Sequence, residues 1–182
     1  MKKTGIFLAE GFEEVEALTV VDILRRAGVI CDMVAIGEKL EVTGSHGITV
    51  KADQMFDQKK AAEYDGLILP GGMPGTLNLG AHVKLTETLK EYASQGRLVA
   101  AICAAPTVLG AQKILIGKKA TCYPGMEDQL TGAEHLTLPV VTDGNIITSR
   151  GLGTAIEFAL AILNWLGLNI KADEIAHGIV YR

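Results

Sequence analysis

Cys103, a group of first-turn glutamates and two glycine-rich turns are the parts of this chain whose residue types and spacing could do chemistry together. The cysteine lies in LVAAICAAPTVLGAQ, residues 98–112. Leu98, Val99, Ala100, Ala101 and Ile102 read as a buried parallel strand, and a helical pattern follows Pro106. Small residue, any residue, nucleophile, any residue, small residue is the spacing of a nucleophile elbow, whose strained turn tolerates only small flanks. Ala101 and Ala105 meet that requirement. A thiol there stands at a helix N-terminus, where the macrodipole and free N–H groups favour thiolate over thiol. The same residues also read as plain core, because free cysteine is among the most buried residue types.

The glutamates follow a first strand, Thr4 to Ala9, and its exit loop Glu10-Gly11-Phe12. A helix is expected from about Glu13 to Ala27, stopped at Gly28. On a helical wheel Thr19, Asp22, Arg25 and Arg26 form the wet face, and Val20, Ile23, Leu24 and Ala27 the apolar stripe. Glu13 and Glu16 fall on the apolar side and Glu14 at its boundary. First-turn carboxylates often only complement the helix dipole. One aimed at the core is desolvated instead, and its raised pKa lets it donate a proton near neutral pH. The wheel leaves Glu13 and Glu16 tied. Carboxylates in this turn also oppose nucleotide binding, which asks here for G-x-G-x-x-G, and no G-x-x-x-x-G-K-[ST] occurs elsewhere.

These groups need elements to hold them, and the pattern alternates strand and helix. Val29 to Ile36 is a second strand carrying Cys31, a buried spectator. Residues 40–51 suggest a hairpin around Gly44-Ser45-His46-Gly47, with His46 at its tip. A short helix covers Gln58 to Glu63. The strand Gly66–Leu69 ends in Pro70-Gly71-Gly72-Met73-Pro74-Gly75, which reads either as a tight turn or as a loop leaving N–H groups free for a ligand. A helix from Val83 to Ser94 leads to the Cys103 strand. Lys119 to Cys122 is a strand running into Tyr123-Pro124-Gly125, and Met126 to Leu130 a short helix. Leu138–Val141 and Asn145–Thr148 pair across Thr142-Asp143-Gly144. The loop containing Gly151, Leu152 and Gly153 then opens an apolar helix, Ala155 to Leu166, and an amphipathic segment closes the chain. The expected fold is α/β: a flavodoxin-like three-layer α/β/α sandwich with a mostly parallel central sheet, one domain over 1–182. Sites in such folds lie beyond the carboxyl ends of the strands, where Glu13/Glu16, Gly72, Cys103, Tyr123 and the Gly151 loop all fall.

With 182 residues, 48% hydrophobic content and 21 glycines, the chain can bury a sizeable core. A net charge of −4 and no basic cluster beyond short pairs argue against nucleic acid or an anionic membrane as main partner. No apolar run reaches the ~18 residues that span a bilayer. The start, MKKTGIFLAEGFEEVE, reads as a strand rather than a signal peptide. Three scattered cysteines do not suggest a disulfide framework, and a cytoplasmic location is expected.

The combination FLAEGFEEVEA, DGLILPGGMPG, AAICAAPTVL and TSRGLGTAIEFALAI resembles the DJ-1/ThiJ/PfpI superfamily over essentially the whole chain, in particular its DJ-1 and bacterial ThiJ-like branch. The resemblance implies a class I glutamine amidotransferase-like fold and makes Cys103 the reactive cysteine. It assigns the protonated glutamate to Glu16, which breaks the tie with Glu13, and gives the oxyanion pocket to the N–H groups of Gly72 and Ala104. It also implies a homodimer that needs no cofactor or metal. Two departures stand out. Ala104 follows the cysteine where peptidase-type relatives have histidine, and Tyr123 precedes Pro124 where the DJ-1 branch has histidine. His135 and His177 are candidates to substitute by folding nearby. His46 aligns where the family has a pocket arginine.

The implied activity is glyoxalase- or deglycase-type chemistry on methylglyoxal and its adducts. Cys103 attacks a carbonyl, and Glu16 moves a proton between adjacent carbons. An alternative is a non-catalytic oxidative-stress sensor or chaperone using Cys103 oxidation, with Cys122 as a resolving thiol. A role in thiazole or thiamine-precursor synthesis ranks last, since no phosphate-binding motif supports it.

Overall fold

The computed structural model describes residues 1–181. Its central sheet has seven strands: β1 (Lys3–Leu8), β2 (Ile30–Ala35), β5 (Gln54–Met55), β6 (Gly66–Leu69), β7 (Leu98–Ile102), β10 (Val140–Asp143) and β11 (Ile146–Ser149). Their spatial order is β10-β11-β7-β6-β1-β2-β5, parallel throughout except for β10, which runs against β11. A parallel sheet needs both faces covered, and the alternation along β1 shows how. Ile6 and Leu8 face one core cluster, with α1 (Glu14–Arg26), α6 (Ala155–Trp165) and α7 (Asn169–Gly178). Phe7 faces the other cluster, with α3 (Gly75–Ala81), α4 (Val83–Ser94) and α5 (Pro106–Ala111). The result is the expected three-layer α/β/α sandwich. Two small pairs lie outside the sheet, β3 (Glu41–Thr43) with β4 (Thr49–Lys51), and β8 (Lys119–Ala120) with β9 (Glu134–His135), and the short helix α2 (Gln58–Ala61) links β5 to β6.

Chain direction turns at β1. The first crossover, through α1, lays β2 on one side of it, and β6 later pairs on its other side. The crevice beyond the carboxyl ends of β1 and β6 is the topological switch point at which doubly wound sheets bind ligands. The loops after β1, β6 and β7 all open there.

Several elements differ from the sequence reading. Residues 75–81 form α3, where the sequence reading assigns only Gly75, to the turn, and nothing to 76–82; Thr76 and Leu79 pack inward there. The 119–122 strand stops at Ala120. In the β10–β11 hairpin Asp143 pairs with Ile146, so the loop is Gly144-Asn145. β5 and β9, two residues each, are too short for periodicity to reveal.

Candidate active site

Cys103 follows β7 with φ at +65°, the left-handed region that costs a side-chain-bearing residue energy. Its neighbours hold it there. The Cys103 N–H donates to Ser149 O at 2.9 Å, and Cys103 O accepts the Tyr123 N–H at 2.8 Å. Ala101 and Ala105, the small flanks of the motif, are fully buried. The thiol itself is half-buried.

Glu16 comes to it from the first turn of α1, completely shielded from solvent. Gly71 N–H donates to Glu16 Oε2 at 2.9 Å, while Gly71 O accepts the Glu13 N–H at 2.8 Å. This reciprocal pair clasps the start of α1 to the β6 turn. A Cβ on Gly71 would lie 2.7 Å from both Cys103 Cβ and Glu16 Oε2, so only glycine lets the three groups meet. Gly72, at φ +91°, is packed as closely against the backbone of residues 11–13, and its N–H reaches the thiol along with that of Ala104. The turn after β6 thus supplies a donor as well as a bend.

Burial pushes the Glu16 carboxyl up to about 7, against opposing hydrogen bonds from Cys103 and Gly71. Its Oε1 is buried and accepts no hydrogen bond of full geometry, so thiol and carboxyl interact without a completed bond. The thiol departs from expectation. Burial, and then the Glu16 charge beside it, push Cys103 up to about 12, against the weaker pull of the Ala104 and Gly72 N–H groups. The expected thiolate is therefore not the resting form. Helix α5, only six residues long, carries too small a dipole to offset that desolvation. At neutral pH the site therefore holds a protonated thiol beside a carboxyl poised between its two protonation states.

The glutamates sort differently from the wheel. Glu14 is buried with Glu16, and Glu13 is only partly covered. Burial alone would raise Glu14. Instead its own N–H, the His46 ring and N–H, and the Ile48 N–H hold its carboxylate down at about 2. The contacts are His46 N–H at 2.8 Å, His46 Nδ1 at 3.0 Å and Ile48 N–H at 3.4 Å. Gly44 makes this possible, since a Cβ there would stand 2.2 Å from the Glu14 carboxyl carbon. His46, with its side chain 68% exposed, is the hairpin's clamp on α1. Glu13 Oε2 lies 3.6 Å from its Nδ1. Glu13, Glu14 and His46 are the one grouping among the described residues with ligand atoms close enough to share an ion, but Glu14 already spends both oxygens on His46 and Ile48.

Tyr123 and Gly151 form the other wall. Tyr123 is 51% exposed. A Cβ on Gly151 would stand 3.5 Å from the Tyr123 ring and 4.0 Å from Cys103 Sγ. Leu152, half-exposed, begins the 3-10 turn after it. His135 lies in β9 and His177 is exposed on α7, and neither is hydrogen-bonded or ion-paired to Cys103 or Glu16. Cys122 is buried in the other core cluster from the one Cys103 packs against, which argues against a resolving role.

The sequence model of the DJ-1/PfpI family matches residues 2–165. The chain belongs to that family. Among its DJ-1/PfpI relatives, DJ-1 homolog B of Arabidopsis thaliana is 41% identical over 157 residues, 86% of this chain, which spans only 36% of that protein. The protein named deglycase PH1704, from Pyrococcus horikoshii, is 37% identical over 151 residues, 81% of this chain and 89% of that one. Among solved structures, the C103A mutant of the DJ-1 superfamily protein STM1931 from Salmonella typhimurium superposes with a TM-score of 0.95 at 34% identity, covering 100% of both chains. No helix among the described residues is long and apolar enough to cross a membrane.

Proposed function

We propose that this DJ-1/PfpI chain is an enzyme of glyoxalase or deglycase type, acting on methylglyoxal and its amine adducts through Cys103 and Glu16. The observation that carries it is a buried carboxyl with a pKa near 7 set against a strained elbow thiol that faces two backbone N–H groups. The relative named as a deglycase supports the same class.

The chemistry needs only these groups. Glu16 as carboxylate takes the thiol proton while the sulfur attacks the aldehyde carbon, and the oxyanion forms against the Gly72 and Ala104 N–H groups. Glu16 returns that proton to the oxyanion, giving a hemithioacetal. The carboxylate then removes the hydrogen from the attacked carbon and delivers it to the neighbouring carbonyl carbon, whose oxygen takes the hydroxyl proton. One carbon is oxidised and its neighbour reduced, leaving a 2-hydroxy thioester. Water cleaves the C–S bond, releasing the 2-hydroxy acid and restoring the thiol, so dicarbonyl plus water is the whole balance. The absent histidine is no obstacle, because one carboxyl with a pKa near the working pH serves in turn as base and acid.

The test is steady-state consumption of methylglyoxal with the 2-hydroxy acid identified. Cys103→Ala is expected to abolish it, and Glu16→Gln to lower kcat by at least ~100-fold. Stoichiometric oxygen uptake on Cys103 without turnover would reverse the reading in favour of the sensor. The same reading places the protein in the cytoplasm, consistent with three unpaired cysteines.

A further inference from the structure

Away from the cysteine, the junction of α3 with α4 meets the segment that joins β5 to α2 around a surface recess of about 570 Å³. Phe56, Asp57, Gln58 and Lys59 line it from one segment, His82 and Lys84 from the other. The Cys103 site shares none of these residues. Helix α3 separates the two places, its seven residues spanning roughly 10 Å at 1.5 Å per residue. The volume falls in the range of small-molecule pockets.

One wall is aromatic and fixed in place. The Phe56 ring packs edge-on against Phe7 of the core, with centroids 5.9 Å apart, and against the His82 ring at 4.9 Å. His82 Nδ1 accepts the Leu85 N–H at 3.1 Å, capping α4. A nitrogen that accepts carries no proton, so the neutral ring keeps its hydrogen on Nε2 and has that N–H to offer. The charges are unbalanced. Among the described residues neither Lys59 nor Lys84 forms an ion pair. The one acid in the lining, Asp57, turns its Oδ1 to the Lys59 N–H at 2.9 Å as the cap of α2. Two ammonium groups against one carboxylate make a positive spot on a chain of net charge −4. Unpaired lysines are common on surfaces. These two come from separate segments onto one recess, beside the Gln58 amide, the His82 N–H and an aromatic face.

We propose that this recess binds a phosphate monoester, with the dianion between the Lys59 and Lys84 ammonium groups and the organic group against the Phe56 ring. The Gln58 and His82 N–H groups complete the shell around the phosphate. Phosphate rather than carboxylate follows from the donors. Lysine is a point charge without the planar fork that matches a carboxylate. Four donors arriving from two segments suit the three terminal oxygens of a tetrahedral dianion better than two coplanar ones. The site stands independently of the chemistry at Cys103.

The probe is phenyl phosphate, which carries both a dianion and a planar group, titrated into isotope-labelled protein and followed by backbone amide shifts. Saturable shifts centred on residues 57–59 and 82–85 are expected, with inorganic phosphate competing more weakly at the same amides. Lys59→Gln combined with Lys84→Gln, both at exposed positions, is expected to weaken binding at least ~10-fold. Asp57→Asn keeps a helix cap while removing the acid, and is expected to tighten binding about twofold or more. Lys60→Gln, beside the recess but outside its lining, is expected to stay within about twofold of wild type. No saturable shift up to about 10 mM phenyl phosphate overturns the site. So does a double variant that binds as wild type does, or an Asp57→Asn protein that binds more weakly. A Lys60→Gln loss as large as that of the double variant overturns it too, since the attraction would then be diffuse.

Discussion

Glu16 is ordinarily an acid near 4.5 and in this fold sits near 7, a shift with a sign that can be measured. A carboxyl whose folded pKa is raised binds more protons in the native state, so stability falls as pH rises from about 4.5 through 7 and stays lowered above that. The full difference is on the order of 3 kcal/mol at one pKa unit per 1.36 kcal/mol. Glu16→Gln, which cannot ionise, should therefore be more stable than wild type at pH 8. The advantage should shrink toward pH 5, read as urea midpoints across that range; a constant gap would mean Glu16 ionises freely. The same residue sets the reactivity of the thiol. Alkylation of Cys103 by iodoacetamide is expected to rise through an inflection near pH 7, as Glu16 becomes able to take the thiol proton. In Glu16→Gln that inflection moves up toward the range of an unassisted thiol. The elbow was legible because small flanks at fixed spacing are a local requirement. The ionisation state was not, because desolvation of the sulfur comes from residues far away in sequence.

At the scale of elements, the start of α1 is where distant parts of the chain meet. The β6 turn clasps it through Gly71, and the β3–β4 hairpin clasps it through Glu14. A helical wheel knows only the phase of its own helix. It put Glu14 at a boundary, while a hairpin some thirty residues onward supplies the donors that bury this carboxylate. The signal missed was Gly44, which reads as ordinary turn chemistry and serves as clearance. Gly44→Ala drives a methyl to 2.2 Å from the Glu14 carboxyl carbon, so hairpin or helix must shift. A loss of about 1–3 kcal/mol is expected from overpacking alone, measured by urea denaturation. Hydrogen exchange should show the protection lost at His46 and Ile48 first. An unchanged midpoint with those amides still protected would show that the hairpin is not locked to the helix. The alternation of strands and helices, by contrast, was readable throughout, because buried parallel strands are continuous apolar runs. The misses, α3 and the two-residue strands, are segments whose structure comes from packing rather than pattern.

For the molecule as a whole, the sheet gathers its chemistry at the carboxyl ends and leaves an apolar surface beside it. The outward side of α1 carries Val15, 47% exposed, and Leu18. Ile48 from the hairpin, 55% exposed, and Ile156 and Ile179 continue the same groove. Asp22 and Arg26 close it, already ion-paired to each other at 2.6 Å. The pair therefore offers a partner no unbalanced charge. An apolar patch of this kind suits a two-fold contact, in which the same residues meet from both sides. The homodimer that the family resemblance implies is expected to use this face. The consequence reaches the site, because the N–H of Ile48, just before β4, donates to the buried Glu14. Covering Ile48 therefore holds the hairpin on α1, and α1 holds Glu16 on the thiol. Wild-type protein is expected to sediment as a dimer at micromolar concentration, and Val15→Glu, a substitution at a half-exposed position the monomer tolerates, as a folded monomer. The hairpin amides of the variant should exchange faster than those of wild type. A wild-type chain that sediments as a monomer, or a Val15→Glu protein that still sediments as a dimer, would put the contact elsewhere or nowhere.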